Sequence, residues 1–151
     1  MNKRLFSLAV LLLFCLVLSA CGGEAEPAEM EGLTLAGEWG YAYTIEGGSD
    51  APFVAGEFRR QPPTLEIGAD GSVLAIFYET SIEGSLIKTG ELTYMFINQQ
   101  ASSEGETWTP EDAFLSYDPR SGVLRYTYFN EDAGVDFHHH FVRGASPLPR
   151  E

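Results

Sequence analysis

From Leu33 onward the chain alternates. Leu35, Gly37, Trp39, Tyr41, Tyr43 and Ile45 occupy one set of positions, and Ala36, Glu38, Gly40, Ala42 and Thr44 the other. A period of two is that of a β-strand, so this run predicts a strand with Trp39 and the tyrosines on one face. Residues 64–68 and 72–79 flank Ala69-Asp70-Gly71, and Asp-Gly between alternating apolar positions marks a hairpin. Residues 91–97 place Leu92, Tyr94 and Phe96 together. Residues 113–117 and 123–129 flank Asp118-Pro119-Arg120-Ser121-Gly122, a second turn with proline early and glycine late. The last strand, residues 135–143, sets Val135, Phe137, His139 and Phe141 on one side. Shorter strands are expected at 53–58 and 82–88. Thr109-Pro110-Glu111-Asp112 predicts at most one helical turn, and residues 98–111 read as a polar loop.

These elements amount to about eight strands joined mostly by short turns, an all-β antiparallel meander over residues 33–143. Closing such a sheet into a barrel removes its exposed edges, and eight strands enclose an interior that is filled or holds one small ligand. A β-sandwich is the alternative. Gly37-Glu38-Trp39 at the start of the first strand resembles the Gly-x-Trp signature of the lipocalin and calycin barrels. The resemblance implies that Trp39 packs across the closed end of a barrel against a basic residue of the last strand. Arg143 holds that place, so Gly37, Trp39 and Arg143 are the expected closure residues.

The N-terminal segment has a different character. Lys3 and Arg4 precede an uncharged apolar run over residues 5–18. The run is shorter than the roughly 20 residues a spanning helix needs and has the flanks of a secretory leader. It ends in Leu18-Ser19-Ala20-Cys21, followed by Gly22-Gly23, which resembles the bacterial lipobox. That resemblance implies a diacylglycerol on the Cys21 thiol and cleavage just before it. Residues 1–20 are then a signal peptide, and 21–32 are the lipidated cysteine and a tether carrying Glu24, Glu26, Glu29, Glu31 and Pro27. Residues 144–151 read as a disordered tail. Two acyl chains give stable anchoring where one does not. The expected location is the extracytoplasmic cell envelope: the outer face of the plasma membrane in a monoderm, the outer membrane in a diderm.

Charge narrows the partners. Nine Lys and Arg face 22 Asp and Glu, a formal net charge of −13. Without Lys3 and Arg4 the balance is 7 against 22, or −15. That excludes nucleic acid, whose recognition needs basic patches. It also repels anionic lipid head groups, leaving the acyl anchor to hold the membrane. A basic protein partner would be attracted. Cys15 and Cys21 are the only cysteines, so the barrel has no disulfide and no cysteine-based zinc site. Neither Gly-x-Ser-x-Gly nor a phosphate-binding Gly-x-x-x-x-Gly-Lys is present. The reading is non-enzymatic, with no cofactor.

Two side-chain sets invite chemistry. Asp136, His138 and His140 point to one side of the last strand and His139 to the other. Two imidazoles and a carboxylate on one face are a candidate metal set. The plainer alternative turns Phe137, His139 and Phe141 inward and leaves His138 and His140 in solvent. Tyrosines recur on apolar faces, including Tyr117, and buried tyrosine hydroxyls require partners. With Trp39, the candidate ligand-binding set is Trp39, Tyr41, Tyr43, Tyr94, Tyr126 and Tyr128. Such side chains suit an amphipathic cavity or a protein-contact surface. The expected function is a cell-envelope lipoprotein that binds a small hydrophobic or amphipathic ligand in its barrel. The alternative is a protein-contact module, a hydrolase inhibitor or envelope-assembly subunit, acting through its acidic surface.

Overall fold

The computed structural model describes residues 34–148. The leader, Cys21 and the acidic tether lie outside them. Ten strands and one short helix follow in the order β1 (Gly37–Glu46), β2 (Pro52–Phe53), α1 (Gly56–Arg60), β3 (Thr64–Ile67), β4 (Ser72–Phe77), β5 (Thr80–Lys88), β6 (Thr93–Ser103), β7 (Glu106–Trp108), β8 (Ala113–Asp118), β9 (Val123–Asn130) and β10 (Val135–Arg143). Strands β1, β3, β4, β5, β6, β8, β9 and β10 pair in that order, and β10 returns to β1. Every pairing is antiparallel. The result is a closed eight-stranded, lipocalin-like barrel, with β2 and β7 as short additions on β1 and β6.

Turn chemistry fixes the register. In the β3–β4 hairpin, Asp70 Oδ1 accepts from the Ser72 N–H at 3.0 Å and the Ser72 hydroxyl at 2.7 Å, and Gly71 takes φ +83°. At β8–β9 the Asp118 carboxylate accepts from the Arg120 N–H and the Ser121 hydroxyl, at 2.9 and 2.7 Å. These hydrogen bonds hold both carboxyls below the usual aspartate range.

Two expectations are corrected. Residues 53–58 do not form a strand: Pro52 and Phe53 pair briefly with β1, and Gly56–Arg60 is a helix ended by Pro62-Pro63. Its Phe58 packs against the core while its neighbours face solvent. Residues 98–111 are not one polar loop. Strand β6 runs on to Ser103 and turns through Glu104 (φ +49°) and Gly105 (φ +86°) into β7. Two successive positive φ angles make the tight turn that suits a twisted hairpin. The segment 109–112 has no helical turn, within the limit of one that the sequence set.

Two bulges break the alternation. In β1, Tyr41 pairs with Phe141 but Tyr43 with His140, leaving Ala42 as the extra residue. Inward positions therefore switch from Trp39 and Tyr41 to Thr44. In β6, the shift lies between Ile97 and Gln100 opposite Ser85 and Glu83, with Asn98 at φ +53°. Inward positions switch there from Tyr94 and Phe96 to Gln99 and Ala101.

The interior is largely solid. Leu35, Trp39, Tyr41, Leu65, Phe96, Leu115, Leu124 and Phe141 are almost fully buried in one cluster. Residues 144–148, expected as tail, cross the outside of the barrel. The Ser146 hydroxyl donates to the Tyr41 carbonyl at 2.6 Å, and Leu148 packs against the core.

Candidate functional site

The two ends of the barrel differ. At one end, Arg143 lies over the Trp39 ring, 4.4 Å from its centroid. Its Nη1 donates to the Ala36 carbonyl at 2.8 Å and its Nη2 to the Thr34 carbonyl at 2.6 Å. The indole N–H donates to the Leu35 carbonyl at 2.8 Å, and Tyr117 meets the ring edge-on at 5.8 Å. Gly37 stands at φ +129°, and a β-carbon there would lie 2.9 Å from Arg143 Nη1. Glycine at this position thus lets the guanidinium lie across the tryptophan. Gly37, Trp39 and Arg143 come together as the closure that the sequence suggested.

The other end retains space. A cavity of about 240 Å³ is lined by Phe58, Phe77, Thr80, Ile82, Pro110, Glu111, Tyr126, Tyr128 and His139, and opens to solvent. Four elements build its aromatic wall: α1 brings Phe58, β4 Phe77, β9 Tyr126 and Tyr128, and β10 His139. The His139 ring lies 5.3–6.3 Å from the rings of Phe58, Phe77, Tyr126 and Tyr128. Pro110 and Glu111 come from the segment entering β8. Gln99 holds that segment: its Nε2 donates to the carbonyls of Phe96 and Glu111, both at 3.0 Å.

A polar chain runs along one wall. The Tyr41 and Thr44 hydroxyls are 2.6 Å apart, and Thr44 Oγ1 is 2.7 Å from His139 Nδ1. Tyr41 also reaches the Phe53 carbonyl at 3.5 Å. That carbonyl can only accept, so the arrangement that keeps every link runs from Nδ1–H to Thr44, Thr44 to Tyr41 and Tyr41 to Phe53. It leaves a lone pair on His139 Nε2. Burial, then the neighbouring His140 and His138, lowers the His139 pKa to about 3, so the ring is neutral. Burial raises the Tyr126 and Tyr128 hydroxyls, keeping them protonated. Among the described residues neither the Tyr126 hydroxyl nor His139 Nε2 has a protein hydrogen-bond partner. The cavity is therefore apolar with a few polar atoms free to meet a guest.

Of the tyrosines singled out in the sequence, only Tyr126 and Tyr128 line this cavity. Trp39, Tyr41 and Tyr94 point inward but are packed into the solid interior, where burial also raises the two phenol groups. Tyr43 is a correction: the bulge at Ala42 turns it outward, where it stacks on His140 at 4.4 Å. Phe58, Phe77, Thr44 and Glu111 escaped sequence reasoning. Phe58 sits on a helix too short to show a period, and Glu111 is one carboxylate among 22 acidic residues.

The outward face of β10 gathers no metal site. Thr127 Oγ1 is 3.0 Å from His138 Nδ1, while His140 Nδ1 donates to the His138 carbonyl at 3.0 Å and its ring lies on Tyr43. Asp136 is exposed. Among the described residues no group of three or more His, Cys, Asp or Glu could hold a metal ion. The candidate set Asp136, His138 and His140 is thereby corrected, because each imidazole is turned to a different neighbour. His139 takes the inward place of the plainer alternative.

The wider hollows lie outside the barrel wall. One of about 650 Å³ runs beside Glu38, Arg60, Glu66 and Ser146, and one of about 460 Å³ beside Tyr43, Asp118, Arg125 and His140. Their linings are polar and mixed in charge, without the convergent aromatic wall of the barrel mouth. Neither a known protein family nor a curated protein matches the chain.

Proposed function

We propose that this protein is a lipid-anchored, non-enzymatic barrel of the cell envelope that takes a small amphipathic molecule into its open mouth. The observation that carries the reading is the cavity of about 240 Å³, with four aromatic side chains, the Tyr126 hydroxyl and His139 on its wall. It lies below the roughly 300–1,000 Å³ of drug-sized sites, so the guest is small. A fatty acid would find no channel through the filled half of the barrel, where Trp39, Phe96 and Phe141 are buried. The leader and Cys21 support the anchor: their resemblance to a lipobox would place the mouth in the extracytoplasmic space, within reach of solutes.

The test is a thermal-shift screen of neutral, cationic and anionic fragments against the full chain, repeated on Thr80→Trp, which crowds the rim. Binding fragments should raise the parent Tm and lose their effect in the variant. A screen with no shift, or shifts the variant preserves, overturns the reading.

A second reading, protein contact, draws on the outer wall. Ile87, Phe114 and Phe129 are exposed, and Ile87, Met95 and Phe114 follow one another across β5, β6 and β8. An exposed apolar row of this kind suits a protein partner. Stoichiometric co-purification with one protein, abolished by Phe114→Glu, would favour it.

A further inference from the structure

The mouth has a charge as well as an apolar wall. Glu111 lines the cavity from one side. Hydrogen bonding with Glu131, then burial and the charges of Glu131 and Asp112, raises the Glu111 pKa. On α1, Glu57 and Arg59 flank Phe58 with opposite charges, so that element leaves the balance at the mouth to Glu111. None of the nine lining residues is Lys or Arg. Arg60 instead belongs to the outer groove beside Glu38 and Glu66.

We infer that the small guest of this mouth is an organic cation, held among the rings of Phe58, Phe77, Tyr126 and Tyr128 and drawn in by the Glu111 carboxylate. This rests on the ligand-binding reading above and names the chemical class of its ligand. Aromatic rings carry negative faces, and several around one small volume attract an ammonium group more than they attract its neutral isostere. An anion meets those same faces and the Glu111 carboxylate unfavourably. The one imidazole in the wall does not oppose a cation, because burial keeps His139 neutral through the ordinary pH range. Its Nε2 lone pair and the Tyr126 hydroxyl can accept from an N–H or O–H of the guest. An exposed acidic surface alone would attract cations without selecting their shape. Here one carboxylate, Glu111, borders a cavity whose wall is four aromatic rings contributed by three different elements.

The experiment is calorimetric titration of the full chain in dodecyl maltoside with choline, its neutral carbon isostere 3,3-dimethylbutan-1-ol, and 3,3-dimethylbutanoate. Choline should bind about tenfold more tightly than the alcohol, the factor expected from cation–π attraction in a partly desolvated site, and the carboxylate should not bind. Phe58→Leu keeps the wall apolar but removes one ring face, and Glu111→Gln removes one exposed charge. Each should lower choline affinity several-fold and lower that of the alcohol by less, narrowing the ratio between the two. If the alcohol or the carboxylate binds as tightly as choline, the cation assignment is overturned and the small-ligand reading survives. If choline does not bind while fragments of other charge do, the outcome is the same. If no probe or fragment binds, both readings fall.

Discussion

The guanidinium of Arg143 lies 4.4 Å from the centroid of the Trp39 ring and ties the last strand to the turn that precedes β1. It donates to two carbonyls, of Thr34 and Ala36, that no strand ladder satisfies. One side chain thus caps the barrel, covers the indole and pins the entry to β1. Arg143→Met keeps the apolar stem but loses the charge and both donors. Destabilisation of about 1–3 kcal/mol is expected. Urea unfolding followed by tryptophan fluorescence measures it, and Arg143→Lys should recover only part, since an ammonium cannot form the planar fork.

A second strap crosses the outside of the same end. A β-carbon on Gly40 would meet the backbone of residues 145–146, with Ser146 N at 2.1 Å. The obstacle is main chain, not a mobile side-chain tip, so it cannot turn aside. Gly40→Ala should push the strap away, break the Ser146–Tyr41 hydrogen bond and uncover Leu148. The expected cost is about 1–3 kcal/mol. Faster amide hydrogen exchange confined to residues 144–148 and the β1 edge would be its signature.

Much of this architecture was legible in the chain because alternation, turn residues and closure each left a local mark. Asp70-Gly71 and Asp118-Pro119 announced their hairpins, and Gly37, Trp39 and Arg143 announced the closed end. The bulges left none. One extra residue at Ala42 reverses every later face of β1, which is why Tyr43 lies outside and Thr44 inside. The shift at Asn98 does the same for Gln99 and Ala101. The mouth was harder still. Its wall joins a helix too short for periodicity, a segment between β7 and β8, and strands far apart in sequence. Only Tyr126 and Tyr128 stood out beforehand, and nothing in the chain marked Phe58 or Glu111 as their neighbours.

The anchor can be tested separately from the barrel. Intact mass of the protein from its host should correspond to a chain beginning at Cys21 and carrying a diacylglyceryl group. Cys21→Ser should abolish incorporation of labelled palmitate and leave residues 1–20 attached. A parent protein that retains its leader, or has an unmodified Cys21, would remove the membrane assignment while leaving the barrel intact.

His139 makes the barrel's stability depend on pH in a defined direction. Its ordinary pKa is 6.5, and burial lowers it to about 3 in the folded chain. The unfolded chain therefore takes up a proton between those values that the folded one refuses. Stability from this group is complete above pH 6.5 and declines as pH falls toward 3, by up to about 1.4 kcal/mol per pH unit. His140, half-buried against Tyr43, is shifted the same way and adds to the slope. Most carboxylates titrate lower, so the interval from pH 6.5 to 5.5 isolates the imidazoles. His139→Gln removes the titration while keeping a polar group opposite Thr44. At pH 7.5 the variant should be less stable by about 1–3 kcal/mol through the disturbed Thr44–Tyr41 chain. Its urea midpoint should then fall less than the parent's between pH 6.5 and 5.5. Parallel profiles for the two proteins would mean that His139 is protonated as readily in the folded barrel as outside it. Below pH 6.5 a charged ring would then stand in the wall of the mouth and oppose the cation assigned there.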